Sequence, residues 1–274
     1  PNGAGKSTLI KIMLGLLKAT QGNGRILDFD IERQARQVRS IVGYMPEDDC
    51  FLFGMTGVEA VQMSAQLSGL PEIEGLRRAH EIMDFCGVQQ ERYRKVETYS
   101  TGMRQKLRFA QAIVHDPRVL ILDEPTSGLD PEERDVMLRR IERLARDHGK
   151  TVLICTHILP DVQAVSDAVV ILAKGRVRLC DRLESLSLPT EPSVKLRTVG
   201  NTDDFSRRLE ASGLQIETHT NGTMTVSGTG VNLTAHVWEA AHVTGVAIRS
   251  LTPSQISIED IFLQAVQEPK HGSE

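Results

Sequence analysis

The chain has 274 residues, of which 40% are hydrophobic and 25% are charged, and its formal net charge is −4. These values are typical of a globular protein and exclude a wholly disordered or collagen-like chain. The acidic balance argues against a general nucleic-acid binder, because binding to phosphate backbones needs a basic face. The longest apolar runs, such as Val119–Leu122 and Ala168–Ala173, are far shorter than the ~20 residues of a membrane span.

The chain begins with a motif typical of phosphate-binding loops. Residues Pro1–Thr8 contain Gly-Lys-Ser, which ends the pattern Gly-x-x-x-x-Gly-Lys-Ser/Thr. Small residues allow backbone N–H groups to approach phosphate oxygens. A helix predicted from Ser7 to about Leu17 would turn its positive end toward them. Taken alone, the motif is also compatible with a glycine-rich turn capped by Ser or Thr.

Every position of this loop after the proline is a predicted nucleotide contact. Lys6 would reach the β- and γ-phosphates, and the Ser7 hydroxyl would hold Mg²⁺. The predicted contacts with the nucleotide are Asn2, Gly3, Ala4, Gly5, Lys6, Ser7 and Thr8. The first glycine of the pattern would stand before Pro1 and is absent from this chain.

The residues that follow predict an α/β chain with a helical insertion at about 56–114. The predicted elements are strands Ile26–Phe29 and Ile41–Tyr44, and helices from Thr56 to about Leu67, Glu72 to about Cys86, and Gly102 to about Val114. Thr56 and Glu59 form a capping box at the start of the first of these helices. The spacing in the second helix predicts one apolar side that carries Ile73, Leu76, Ile82 or Met83, and Cys86.

An aliphatic run then predicts the centre of a parallel sheet. Val119–Leu122 is typical of a strand buried on both faces, and it ends at Asp123-Glu124, where ligands bind in such sheets. Asp130 is the predicted N-cap of a helix to about Arg146. A second buried strand, Thr151–Cys155, is predicted to end just before His157.

Residues 190–274 have a different pattern, which predicts a second, smaller domain. The predicted elements are strand 194–198, helix 203–211, strands 214–218 and 223–226, helix 232–242 and strand 246–251. This order, β-α-β-β-α-β, is typical of ferredoxin-like α+β domains. A last helix, at about Ile258–Val266, has one apolar face and is interpreted as a packing helix.

Taken together, these motifs resemble the ATP-binding subunits of ABC transporters. Six motifs occur in that family's order: Pro1–Thr8, Gly43–Glu47, Tyr99–Met103, Val119–Glu124, Ser127–Asp130 and His157. The resemblance covers about 180 residues. It implies a P-loop NTPase core of the RecA-like α/β class, with an inserted helical subdomain, within an ABC-type domain at 1–185. The smaller domain would then occupy 190–274.

The resemblance also implies roles for the acidic residues and the histidine. Asp123 would hold Mg²⁺ through water, Glu124 would polarise the attacking water, and His157 would contact the γ-phosphate of ATP. Two alternatives remain open at this point. Glu124 could instead pair with a nearby cation, and His157 could be a core histidine bonded to the backbone.

A second set of implied contacts lies between two subunits. In the family, Ser100 and Gly102 face the ATP held by the opposite subunit, so that a homodimer or pseudo-dimer encloses two ATP molecules. Asp130 would lie at the same dimer seam, a role compatible with that of an N-cap.

Three departures from the commonest family pattern suggest a subclass. Glu47 stands at the Gln-loop position, where a carboxylate can still reach Mg²⁺, and Met103 replaces a glutamine that makes hydrogen bonds. With a tail that ends Ser257–Phe262, these features resemble exporter-type subunits for drugs, antibiotics, lipids or ions.

The resemblance implies a separate transmembrane permease as the main partner and no nucleic acid. The protein would then be cytoplasmic and peripheral at the inner face of the cell membrane. We predict that Phe51, Leu52 and Phe53 contact the permease, with ordinary loop anchoring as the alternative.

Two other functions remain open from the sequence. One is a soluble ABC-type ATPase that acts on ribosomes or DNA, and the other is an inactive regulatory subunit. Because the resemblance also implies an upstream strand and an adenine-stacking aromatic residue, we hypothesise that this chain is a fragment of a longer gene product.

Overall fold

The computed structural model describes residues 1, 3–49, 51–187, 191–200, 202–219, 222–229, 232–254 and 256–267. The chain divides into two compact units. The first unit comprises Pro1–Ser166 and Leu172–Arg178, and the second comprises Asp167–Ile171 and Leu179–Glu274. In the described parts of the chain, no helix is long and apolar enough to cross a membrane.

The elements up to residue 165 alternate between helices and strands. They are α1 (Lys6–Met13), β1 (Arg25–Ile26), β2 (Phe29–Asp30), α2 (Ala35–Ile41), β3 (Val42–Met45), α3 (Gly57–Leu67), α4 (Glu72–Phe85), α5 (Thr101–Ile113), β4 (Val119–Asp123), α6 (Pro131–Arg146), β5 (Thr151–Cys155) and α7 (Leu159–Val165). Short 3₁₀ turns at Gln90–Tyr93 and Val96–Thr98 connect α4 to α5.

A three-stranded parallel sheet, in the order β3–β4–β5, forms the centre of the first unit. Every residue of β4 is buried, as its aliphatic sequence predicts. Leu120 and Leu122 pack into one hydrophobic cluster, while Val119 and Ile121 pack into another. Because successive side chains of a strand point to opposite faces, β4 is covered on both sides and its end, Asp123, is fixed by the core.

We expect Leu122→Ala to lower the free energy of unfolding by about 2–5 kcal/mol, because it leaves a cavity under a fully buried side chain. Leu67→Ala is the matched control, since Leu67 is 78% exposed and its truncation removes little buried surface. Denaturant unfolding of both variants measures the difference. Equal effects would contradict the central position of β4.

Helices α3, α4 and α5 pack together as the predicted helical insertion. The capping box at Thr56 and Glu59 is present, with both reciprocal hydrogen bonds. The predicted packed face of α4 is confirmed in its second half, because Ile82, Met83 and Cys86 are buried. In its first half the prediction is wrong, because Ile73 is 86% exposed and Leu76 is also exposed. There Gly75 faces α3, where an added Cβ would lie 3.4 Å from the Ala65 side chain.

Three further expectations differ from the structure. The strand predicted at Ile26–Phe29 is a tight antiparallel hairpin, in which Ile26 pairs with Phe29 and Leu27 has φ +50°. Helix α1 ends at Met13 rather than near Leu17. Strand β5 is only half-buried, because it lies at an edge of the described sheet and lacks the second covering neighbour of β4.

The second unit contains a four-stranded antiparallel sheet. The elements from residue 168 onward are β6 (Ala168–Ala173), β7 (Arg176–Arg182), α8 (Leu183–Leu186), β8 (Ser193–Val199), α9 (Asp203–Ala211), β9 (Gln215–Thr218), β10 (Thr223–Ser227), α10 (Leu233–Thr244), β11 (Ala247–Pro253) and α11 (Ile258–Gln267). The strand order is β11–β8–β10–β9. Phe205 and Leu209 of α9 and Val237 of α10 are buried in its core. Ile258 and Ile261 of α11 are also buried.

Candidate active site

The first loop adopts the backbone conformation that its glycines permit. Gly3 and Gly5 have φ +72° and +99°, in the left-handed region that favours glycine, and Ala4 between them is buried. Gly5 is the N-cap of α1 and supplies no side-chain cap. The first-turn N–H groups of α1, where Lys6, Ser7 and Thr8 lie, are therefore left for an anion. The predicted contact Asn2 lies outside the described residues.

The loop and the end of β4 lie next to each other. The Ser7 hydroxyl hydrogen-bonds to the carboxyl of Asp123, and the positive charge of Lys6 also acts on this carboxyl. The Lys6 ammonium donates to the carbonyl oxygen of Pro1 at 3.2 Å. The structure thus brings together the predicted phosphate-binding lysine and both the serine and the aspartate predicted to hold a metal.

Asp123 lies in an environment that opposes its negative charge. Burial raises the pKa of the Asp123 carboxyl, and the charges of Glu47 and Glu124 raise the pKa further, while Lys6 and the Ser7 hydrogen bond lower it. The negative charges of Glu47 and Glu124 therefore act on Asp123 at the end of β4, and a divalent cation bound to Asp123 would relieve this repulsion. Mg²⁺ favours one or two carboxylates together with substrate phosphates, so Ser7, Asp123 and Glu47 fit this ion.

Glu124 is held by the strand next to its own. Asp123 pairs with Cys155 in the parallel register of β4 and β5, so the residues after both strands emerge at the same edge of the sheet. The Glu124 N–H donates to the Cys155 carbonyl at 2.8 Å. The Thr156 hydroxyl donates to Glu124 Oε2 at 3.3 Å, and His157 Nδ1 lies 2.9 Å from Glu124 Oε1.

These contacts bear on the two open alternatives for Glu124 and His157. The His157 side chain is 64% exposed and its Nδ1 contacts a carboxylate, so it is not a core histidine bonded to the backbone. The Glu124 side chain is only 7% exposed. Among the described residues, the basic side chain within salt-bridge distance of Glu124 is the His157 imidazole and not a lysine or arginine. A buried carboxylate beside an exposed imidazole is suited to proton transfer.

The two predicted residues at the start of α5 have well-defined local roles. Ser100 is the N-cap of α5, and its hydroxyl accepts from the Met103 N–H at 3.3 Å. Gly102 is buried, and an added Cβ would lie 2.3 Å from the Glu133 carboxylate. Met103 packs against the larger hydrophobic cluster. The absence of a side chain at Gly102 therefore leaves room for the Glu133 carboxylate beside α5.

Asp130 is the N-cap of α6, as the sequence predicts. Its carboxylate accepts from the Glu133 N–H at 2.8 Å, and the residue is exposed. An N-cap carboxylate and a contact with a second subunit are compatible, because a carboxylate has several acceptor positions. The dimer role of Asp130 stays a prediction.

Two buried polar residues of α5 were not predicted from the sequence. The Gln105 amide donates to the Glu124 carbonyl at 2.8 Å, and Arg108 hydrogen-bonds to Gln105 and to the carbonyl of Pro46. The sequence could have indicated them, because a glutamine and an arginine interrupt the otherwise apolar packed residues of this helix. Buried polar groups need hydrogen-bond partners.

Comparisons with known proteins decide the family. The family model described as "ABC transporter" matches residues 1–127. The Bacillus subtilis ABC transporter ATP-binding protein YdbJ is 34% identical over 97% of this chain and 84% of its own length. This chain belongs to the ABC transporter ATP-binding proteins. The resemblance to ABC transporter ATP-binding subunits that the motifs predict is confirmed.

Two further relatives of this ABC transporter ATP-binding protein define the extent of the match. The Nod factor export ATP-binding protein I of Azorhizobium caulinodans is 36% identical over 65% of this chain and 55% of its own length. A solved ATP-binding subunit of an ABC transporter is 31% identical, with a TM-score of 0.61, and the match covers 68% of this chain and 77% of that one. The chain spans 50% to 63% of the length of four other curated relatives.

Proposed function

We propose that this chain hydrolyses ATP to power export through a separate membrane permease. The observation that carries the catalytic part is the cluster at the end of β4, where Glu124 contacts His157 at 2.9 Å beside the Ser7–Asp123 hydrogen bond. Export is supported by Glu47, by Met103 and by the similarity to the Nod factor export ATP-binding protein of Azorhizobium. The protein would work at the inner face of the membrane.

In the proposed reaction, a water molecule attacks the γ-phosphorus of ATP. The new bond joins the water oxygen to phosphorus, the bond from phosphorus to the β–γ bridging oxygen breaks, and the products are ADP and phosphate. Glu124 accepts the proton of the attacking water, and His157 contacts the γ-phosphate. Gly3 to Thr8 hold the phosphates through backbone N–H groups and the Lys6 ammonium.

Ser7, Asp123 and Glu47 would hold Mg²⁺ in this site. When bound, the ion would neutralise charge on the phosphate oxygens as the bond to the leaving group breaks. The raised pKa of Asp123 supports this assignment, because burial and then the charges of Glu47 and Glu124 oppose its negative charge, and a cation would offset both effects. Ser100, Gly102 and Asp130 would complete the site of a second subunit in a dimer.

The finer architecture is also a proposal. Strands β3–β5 with their helices are consistent with a RecA-like core, and α3–α5 with an inserted helical subdomain. If the four strands of this sheet are numbered in chain order, β11–β8–β10–β9 is the order 4-1-3-2. This order supports a ferredoxin-like second domain. We place the domain boundaries at 1–185 and 190–274.

The loop 51–53 is the proposed contact with the permease. Phe53 is 89% exposed and Leu52 is also exposed, whereas Phe51 packs against the core cluster of the first unit. Leu52 and Phe53 are adjacent in the chain and both exposed, so together they offer apolar area for a contact. Phe53 and Leu52 are therefore better suited to this contact than Phe51, which anchors the loop.

We expect Phe53→Ser to lower transport severalfold and to leave the basal ATPase rate unchanged, because it removes apolar contact area outside the hydrolysis site. Vesicle transport and ATPase assays on the full-length protein with its permease measure the two rates. Tyr93→Ser is the matched control, since Tyr93 is another exposed aromatic residue. Wild-type transport by the Phe53→Ser protein would contradict the contact.

The same preparation tests the proposed function as a whole. ATP turnover that a membrane permease stimulates would support it. Turnover that ribosomes or DNA stimulate would favour the soluble alternative. Absence of turnover in the full-length protein would favour a regulatory subunit.

A further inference from the structure

Two polar side chains of α5 lie inside the first unit, between the end of β4 and the loop after β3. Gln105 is fully buried, and the Arg108 side chain is only 9% exposed. Leu107 and Phe109, which flank Arg108 in the chain, are buried apolar residues of the core. Polar groups this deep in a core are retained only where hydrogen bonds compensate for their burial.

Gln105 holds the backbone of Glu124. Its Nε2 donates to the Glu124 carbonyl oxygen at 2.8 Å. Glu124 has φ +50°, a conformation that side-chain-bearing residues rarely adopt and that surrounding contacts must maintain. The Glu124 N–H is bonded to the Cys155 carbonyl. The two peptide groups that flank the Glu124 side chain are therefore held from two different elements, β5 and α5.

Arg108 fixes the orientation of the Gln105 amide. Its guanidinium donates to Gln105 Oε1, so the oxygen of this amide faces the arginine and the NH₂ group faces Glu124. Because a guanidinium has donors and no acceptor, the amide cannot be reversed without loss of both hydrogen bonds.

Arg108 also holds the loop after β3. Its guanidinium donates to the carbonyl oxygens of Pro46, at 3.2 Å, and Glu47. Arg108 Nε lies 3.6 Å from Asp49 Oδ1, and Arg104 pairs with the same carboxylate at 3.2 Å. The loop that carries Glu47 is thus joined through Arg108 and Gln105 to the backbone of Glu124.

We propose that Gln105 and Arg108 are positioning residues that hold the Glu124 carboxylate in place for hydrolysis and make its position depend on loop 46–49. Gln105 sets the peptide that follows the Glu124 side chain, and Arg108 ties that peptide to the loop. This inference rests on the proposed role of Glu124 as the group that polarises water.

The consequence is a direct link between two parts of the site that are far apart in sequence. Loop 46–49 leads to the exposed residues Leu52 and Phe53. A shift of the carbonyl groups of residues 46 and 47 would break or bend their bonds with Arg108. Gln105 would then no longer be held, and Glu124 could relax from its left-handed conformation.

The test compares two glutamine-to-glutamate substitutions on the same helix. Gln105→Glu removes the N–H donor and places negative charge against the Glu124 carbonyl. Gln111→Glu is the matched control, because Gln111 Nε2 donates to a different backbone carbonyl, that of Ala60, at 3.3 Å. In the full-length protein with MgATP, we expect Gln105→Glu to lower kcat about 10- to 100-fold with an unchanged Kd for ATP. Gln111→Glu is expected to retain wild-type kcat.

Two arginine variants keep the proposal testable if Gln105→Glu does not fold. We expect Arg108→Lys to retain part of kcat and Arg108→Met to retain less, with the melting temperature of each measured in parallel. Lysine keeps the charge but presents no planar fork to bond the loop and Gln105 together. Wild-type kcat in both variants would overturn the link through Arg108.

The Glu124→Gln background separates this inference from the role of Glu124 itself. If Gln105 acts through Glu124, adding Gln105→Glu to Glu124→Gln should cause no further loss of residual turnover. An equal loss in both backgrounds, or a loss no larger than that of Gln111→Glu, would overturn the inference. If Glu124→Gln alone retains full turnover, the proposed role of Glu124 fails instead.

Discussion

Replacing Glu124 with glutamine is expected to slow ATP hydrolysis by about 100- to 10,000-fold, the range typical of the loss of a general base. The substitution keeps the size and the hydrogen-bonding reach of the side chain but removes its capacity to accept the proton of water. Its contact with His157 Nδ1, at 2.9 Å in the wild type, can be kept by the amide oxygen. ATP binding should therefore survive.

Single-turnover ATPase assays and equilibrium ATP binding measure the two effects of Glu124→Gln separately. We also expect the variant to accumulate as an ATP-bound dimer, which size-exclusion chromatography with MgATP detects. Glu72→Gln is the control, since Glu72 is exposed in the first turn of α4. Unchanged turnover in Glu124→Gln would show that Glu124 is not the base.

Replacing Asp123 with asparagine is expected to have opposite effects on activity and on stability. Loss of a carboxylate that holds Mg²⁺ should lower hydrolysis about 100-fold or more, because metal stabilisation of phosphoryl transfer contributes several kcal/mol. The nucleotide-free protein should melt at a higher temperature at neutral pH. Asparagine removes a buried negative charge that lies near Glu47 and Glu124.

The pH dependence of this stabilisation follows from the direction of the pKa shift. Burial, together with Glu47 and Glu124, raises the pKa of Asp123 in the folded state above that in the unfolded state. Asp123 therefore contributes fully to the stability of the folded state at pH values below its pKa in the unfolded state. This contribution is lost as the pH rises through its pKa in the folded state. The gain in melting temperature from Asp123→Asn should be present at neutral pH and vanish in acid.

Thermal unfolding of wild type and Asp123→Asn between acid and neutral pH checks this sign. Asp135→Asn is the control, since Asp135 is exposed on α6. A lower melting temperature for Asp123→Asn at neutral pH would contradict the charge repulsion. Wild-type Mg²⁺-dependent turnover would contradict the metal role.

Much of the local structure could be predicted because it depends on neighbours in the chain. The capping box of Thr56 and Glu59, the N-cap Asp130 and helix Asp203–Ala211 follow from rules that involve only a few adjacent residues. The aliphatic run Val119–Leu122 predicts burial on both faces, and the structure has it. The pairing of β4 with β5 then places the residues that follow each strand at the same edge.

Predictions that required knowledge of the packing partner were less successful. The buried residues of α4 are Gly75, Ala79, Ile82 and Met83, and they do not include Ile73. Near its start the helix faces α3 through Gly75, where an added Cβ would lie 3.4 Å from the Ala65 side chain. Strand β5 has the composition of a buried strand but lies at an edge of the described sheet. A hydrophobic side chain can be buried, but the helices and strands packed around it determine whether it is.

By itself, the sequence determined the family and the candidates for catalysis, because six short motifs occur in one order and each consists of residues adjacent in the chain. Only the tertiary structure decided the contact of Glu124 with His157, the raised pKa of Asp123 and the buried bonds of Gln105 and Arg108. Each of these depends on distances between residues from separate elements. Local sequence rules cannot supply such distances, since only the packing of helices and strands sets them.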